Sequence, residues 1–176
     1  MFWRRNHSLT FDRIEGKRVF LDANIFVYHF TGLSIECTEL LHRCEDGSIN
    51  GFTTIGVIME VLHRLMMIEA VNKGLVSPGN VAKKLKEKPE VVQQLNSYAE
   101  YALRIPEMGI QVLPYTLADC RNSQQFRQKY GLLTNDSFLL SAMDRMNCPH
   151  LASADEDFQR VEEIQLFRPA DIGHRG

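Results

Sequence analysis

Short apolar runs alternate with longer amphipathic segments along this chain, and that alternation limits the fold more than any other feature. Arg18–Leu21 reads as a buried strand, and a helical segment follows from about Asn24. A second helix runs from near Ser34 to Asp46, with Gly47 as its stop. Ile49–Phe52 is a second short strand. Thr53 and Thr54 then cap a long helix from about Ile55 to Lys73. Its apolar stripe is Val57, Ile58, Val61, Leu62, Leu65 and Ile68, and Gly74 ends it. Ser77-Pro78 is a cap and first-turn signal for a polar helix that Pro89 interrupts. Another helix continues to about Arg104. Ile110–Leu113 is a third strand, and Thr116 with Asp119 forms a capping-box pattern for the next helix. Asn135–Met146 is a further helix, Pro149–Ala152 a fourth strand and Ile164–Phe167 a fifth. Strands alternating with helices predict an α/β fold, a parallel sheet with helices on both faces.

A length of 176 residues predicts one domain, spanning 1–176, and 44% hydrophobic residues suffice for a sizeable core. The stretch 75–106 is polar, helical and free of strand signals. It reads as a helical insert or clamp on that domain. Net charge is -2 and pI about 6.3, which excludes a strongly basic, duplex-coating protein. A nucleic-acid substrate would have to be held by a local patch or through a metal. Cys37, Cys44, Cys120 and Cys148 form no C-x-x-C pair, so a zinc knuckle is disfavoured and free thiols in a reducing cytoplasm are expected. The first residues lack the apolar core of a signal peptide, and no apolar run reaches membrane-spanning length. The expectation is a soluble, cytoplasmic protein with no membrane partner.

In a parallel sheet the active crevice lies outside the carboxyl ends of the strands. Asp22 stands at that end of the first strand, and Asp155 just after the fourth. Glu60 on the first turns of the long helix and Asp136 at the start of a later helix could join them. Asn24, Asn135, Ser153 and Asp157 lie close by in sequence. Each has a plainer reading: an Asx turn for Asp22 and Asn24, a solvated position for Glu60, a dipole-favoured first-turn acid for Asp136, a cap for Asp155 and Asp157. Separate capping roles do not explain why the acids converge on one sheet edge. Clustered carboxylates repel unless a cation intervenes, and oxygen-only ligands suit Mg²⁺ or Mn²⁺. A metal so held is common apparatus for phosphodiester hydrolysis.

Four motifs in order, FLDANIF around Asp22, TTIGVIMEV around Glu60, TNDSFLLSAM around Asp136 and LASADEDF around Asp155, make the chain resemble the PIN-domain nucleases, and most closely the VapC-type toxin ribonucleases. The likeness spans Val19 to Phe167. It implies a three-layer α/β/α fold, a divalent metal, and cleavage of RNA. It also implies a homodimer and a cognate antitoxin. Asp22, Glu60, Asp136 and Asp155 carry over as catalytic and metal positions. Asn24, Asn135, Ser153 and Asp157 carry over as supporting polar residues. On this reading Asp22, Asp136 and Asp155 hold the metal, and Glu60 completes the site or orients the attacking water. One metal ion or two remains open. The insert departs from a minimal toxin, which leaves three roles open: a toxin, an RNA-processing nuclease, or a catalytically silent RNA-binding scaffold.

Two E-x-x-H units, Glu39–His42 and Glu60–His63, raise a di-iron bundle as a rival. The strand signal between them and the lack of two further helical glutamates argue against it. Lys83, Lys84, Lys86 and Lys88 form a basic run on the insert that is either a solvated helix face or a patch contacting RNA phosphates. Arg4 and Arg5 could add to it, against the plainer reading of a flexible terminus. Phe26, Tyr28 and Phe30 belong by default to the core, and otherwise to a partner surface.

Overall fold

A computed structural model describes residues 8–14 and 17–172. Arg4 and Arg5 lie outside the described residues. Five parallel strands form one sheet in the order β3-β2-β1-β4-β5. They are β1 Arg18–Leu21, β2 Asn50–Thr54, β3 Ile110–Leu113, β4 His150–Ala152 and β5 Gln165–Phe167. Val19, Phe20 and Leu21 are fully buried because β1 is central, with β2 and β4 on either side.

The helices are α1 Ala23–Phe30, α2 Ile35–Glu45, α3 Ile55–Asn72, α4 Val81–Glu87, α5 Pro89–Val92, α6 Ser97–Leu103, α7 Leu117–Tyr130 and α8 Thr134–Arg145. The chain steps from β1 to β2 to β3, then returns through α7 and α8 to β4 on the other side of β1. Right-handed crossovers put helices from the two directions on opposite faces of the sheet, giving three layers. The reversal makes β1 and β4 the switch point, and a crevice opens beyond their carboxyl ends. Among the described residues, no helix is long and apolar enough to cross a membrane.

Local signals act where they were read. Ser34 caps α2 by accepting from the Cys37 amide at 3.0 Å, and Gly47 follows that helix at φ 80. Thr116 and Asp119 close a full capping box on α7. Two readings need correction. β2 continues through Thr53 and Thr54, which pair with Val112 and Leu113 of β3, so Thr54 serves as both strand end and α3 cap. Ser77-Pro78 does not open a helix. The chain turns there through Gly79 and left-handed Asn80, and α4 starts at Val81. The Lys84 ammonium, which donates to Ser77 O, Ser77 Oγ and Pro78 O at 2.8–3.1 Å, holds that turn.

The 75–106 segment packs on the second half of α3. Val76, Leu85, Val91 and Leu95 bury against Ala70 in a small core of their own. Glu69 of α3 fixes its far end, accepting from the Tyr98 amide at 2.8 Å and the Asn96 amide at 3.2 Å. Glu69 thereby satisfies amides at the start of α6, where Asn96 makes no side-chain cap. Phe26 is fully buried, while Tyr28 and Phe30 pack half-buried against the main core. His42 and His63 are both exposed, and Glu39–His42 and Glu60–His63 lie on separate helices, α2 and α3, with β2 between. That arrangement is no four-helix bundle.

Candidate metal centre

Asp22 caps α1 at the end of β1, and its backbone amide still donates to Ala152 O of β4 at 3.1 Å. Its buried carboxylate is fully held. Oδ1 accepts from the Ala23 amide at 2.7 Å, while Oδ2 accepts from Asn24 Nδ2 at 2.8 Å and Ser153 Oγ at 2.6 Å. Asn24 in turn accepts from the Ala154 amide at 2.9 Å through Oδ1. Ser153 Oγ accepts from the Asp155 amide at 3.0 Å. One buried network therefore ties the β1 end to the loop after β4.

Asp155 caps the short 3-10 turn Glu156–Arg160, accepting from the Asp157 amide at 2.8 Å. Asp136 sits in the first turn of α8. Carboxylate oxygens of Asp136, Asp155 and Asp157 lie within 4.8 Å of one another. Glu60 faces the same space from α3, paired with Arg64 at 3.8 Å one turn on.

The electrostatics show how close these acids are. Burial, then the charges of Asp22, Asp155, Glu60 and Asp157, push Asp136 up to about 7. Burial raises Asp22 and the Asp155 charge adds to it, against the Ser153 and Ala23 donors. Glu60 is raised by burial and by Asp22, while Arg64 pulls it down. Each named neighbour that shifts Asp136 is an acid. An oxygen-only set whose members repel one another matches what a hard divalent cation takes, with ligands roughly 2.0–2.6 Å from the ion. Asp136, Asp155 and Asp157 fit that group, with Asp22 and Glu60 around them.

The PIN domain profile matches residues 19–164. The chain belongs to the PIN domain family. Two curated relatives come from Methanocaldococcus jannaschii. Ribonuclease VapC2 is 27% identical over 155 residues, covering 88% of this chain and 96% of the relative. Ribonuclease VapC6 is 22% identical over 150 residues, covering 85% and 96%. VapBC2 from Rickettsia felis, solved bound to a promoter DNA fragment, superposes with a TM-score of 0.54 at 15% identity, covering 86% of this chain and 98% of that one. A toxin-antitoxin complex from Klebsiella pneumoniae superposes at 0.50 and 17% identity, covering 83% and 94%. At those identities the structural likeness speaks for the fold.

Of the residues singled out from sequence, the acids and Asn24, Asn135 and Ser153 gather around one crevice. Asp157, read as supporting, stands in the tight acidic trio. The lysine run stands apart, on the insert beside the second half of α3. Lys84 is consumed by the Ser77 turn, Lys83 lies 4.0 Å from Glu87, and Lys86 and Lys88 are exposed. Arg64 was missed, although its i,i+4 spacing from Glu60 signals the pair. Arg168 was missed too. It donates to Ala154 O at 3.0 Å and so braces the loop bearing Asp155.

Proposed function

We propose that this chain is a metal-dependent endoribonuclease, using Mg²⁺ or Mn²⁺, and the toxin of a toxin-antitoxin pair. The observation that carries the reading is the convergence of Asp22, Glu60, Asp136, Asp155 and Asp157 at the β1/β4 switch point. The PIN domain match and the ribonuclease relatives support it. The toxin-antitoxin neighbours support a cognate antitoxin partner. A homodimer, a cytoplasmic location and a single domain that includes the 75–106 insert complete the proposal.

Asp136, Asp155 and Asp157 would hold the cation, with Asp22 and Glu60 completing the set. A bound divalent cation supplies Lewis-acid activation of the scissile phosphate and of water. The chain's own residues do the rest. Ala23, Asn24 and Ser153 hold the Asp22 carboxylate in one rotamer, so little ordering remains when substrate arrives. Glu60 is half-buried with a raised pKa, which suits a carboxylate that takes the proton of the attacking water. Lys86 and Lys88 remain as candidate phosphate contacts; Lys83 and Lys84 have partners already.

The test is incubation of the purified protein with a labelled pool of single-stranded RNA in Mg²⁺, in Mn²⁺ and in EDTA, beside Asp22→Asn. Cleavage by the unaltered chain, abolished by EDTA and reduced at least ~100-fold in the variant, is the expected result. Cleavage that survives Asp22→Asn would move the chemistry to another site. Metal binding with no cleavage of any RNA would favour a scaffold.

A further inference from the structure

The acidic centre opens on its Glu60 side into a cavity of about 410 Å³. Glu60 and Asn135 line both. Tyr115 and Phe138 form the cavity's wall, their rings edge to face with centroids 5.1 Å apart. Tyr115 is locked in place. Its hydroxyl accepts from Thr54 Oγ1 at 2.9 Å, and its ring lies against the bare backbone of Gly56. A Cβ on Gly56 would come within 2.4 Å of Tyr115 Cε2. Met59, 65% exposed, and exposed His63 stand at the rim.

The lining selects its ligand class. Among the described residues its lining holds no lysine or arginine. Beside Glu60, the Tyr115 and Phe138 rings, the Met59 thioether, the Asn135 amide, the Thr134 hydroxyl and the His63 imidazole suit a flat heteroaromatic group with hydrogen-bonding edges. The volume is at the small-ligand scale, far too small for a duplex.

We propose that this cavity receives one unpaired base of the RNA substrate, seated against the Tyr115–Phe138 wall beside the scissile phosphate. This rests on the nuclease reading and deepens it, because a base inside a helix cannot enter. The substrate is therefore single-stranded or looped at the cut.

The experiment uses the full chain carrying Asp22→Asn in Mg²⁺, so that cutting is suppressed while a cation still offsets the clustered acids. It binds a short unstructured oligoribonucleotide with 2-aminopurine at each position in turn. The expected result is fluorescence quenching at one position, with about 5- to 100-fold weaker binding in Tyr115→Leu and near-normal binding in Tyr115→Phe. An abasic site at the quenched position should weaken binding to the Asp22→Asn chain by a similar factor, which covers the case in which Tyr115→Leu fails to fold. Affinity unchanged by the abasic site, or equal binding of the complementary duplex, overturns the proposal. Cleavage by the unaltered chain is scored separately. RNA cut without any stacked base would sink the pocket and keep the nuclease. A stacked base with no cutting would keep the pocket and sink the hydrolysis.

Discussion

Ser153 Oγ donates to Asp22 Oδ2 at 2.6 Å across 131 positions of sequence, and the same oxygen accepts from the Asp155 amide at 3.0 Å. One buried hydroxyl thus sets the spacing of two acids carried by different strands. Ser153→Ala removes the donor to Asp22 and leaves the Asp155 amide without that acceptor. Unpaired buried groups cost roughly 1–3 kcal/mol, so the urea midpoint should fall while m stays unchanged. Activity per folded molecule should fall as well, with Ser153→Thr restoring part of it. Unaltered activity in the alanine variant would show that Asp22 and Asp155 hold their geometry alone.

The acidic cluster makes the metal-free protein unusual in its response to pH. Burial and the neighbouring acids push Asp136 up to about 7 in the folded state, from an ordinary value of 3.8. Between those values the folded state binds more protons than the unfolded state, so stability falls as pH rises through the window. Asp22 and Glu60, raised as well, act in the same sense. In EDTA the melting temperature should therefore rise as pH drops from about 7 toward 5. Asp136→Asn should flatten that slope. Saturating Mn²⁺ should raise the melting temperature most at the alkaline end, since the cation competes with protons. A metal-free melting temperature that climbs with pH would contradict this account.

Glu69 shows the opposite shift. Lys73 at 2.6 Å and the Tyr98 and Asn96 amides hold its carboxylate down at about 2, despite burial. Its stabilising effect is full above the unfolded value of 4.5 and is lost as pH falls toward 2. Glu69→Gln should cost roughly 1–3 kcal/mol at neutral pH, the scale of hydrogen bonds to a charged group. Because Glu69 fixes the insert and not the acids, specific activity at low temperature should persist. A matching loss of activity would show that the insert shapes the active crevice.

The parts of this structure legible in the sequence are those set by neighbours along the chain. β1 and β3 stand at the expected residues because an apolar run and its turn signals are contiguous. Thr116 with Asp119 was readable for the same reason. Asp22 was readable because the apolar run of β1 breaks on it just before the next apolar run begins. What was missed depends on distant partners. Ser77-Pro78 has the local look of a helix start, but Lys84 takes its carbonyls and forms a turn. Thr53 and Thr54 look like caps, yet β3 supplies pairing that keeps them in the strand. The seat of Tyr115 on Gly56 joins residues 59 apart, and no periodicity reports such a contact.

Asp157 is where sequence and geometry weigh a residue differently, and it gives a direct test. Its carboxylate shares the trio with Asp136 and Asp155, yet it is exposed and its other contacts are local, an ion pair with Arg160. An exposed, locally paired side chain contributes little to folding. Asp157→Asn should therefore leave the unfolding free energy within about 0.5 kcal/mol of the parent. If the residue holds metal, Mn²⁺ affinity measured by calorimetry should fall by about 10-fold or more, since removing one anionic ligand removes both charge and a donor oxygen. Arg160→Gln is the control: it frees Asp157 from its ion pair and should leave Mn²⁺ affinity equal or higher. Unchanged affinity in Asp157→Asn would confine the metal set to Asp22, Glu60, Asp136 and Asp155, and leave Asp157 as the amide donor that orients Asp155.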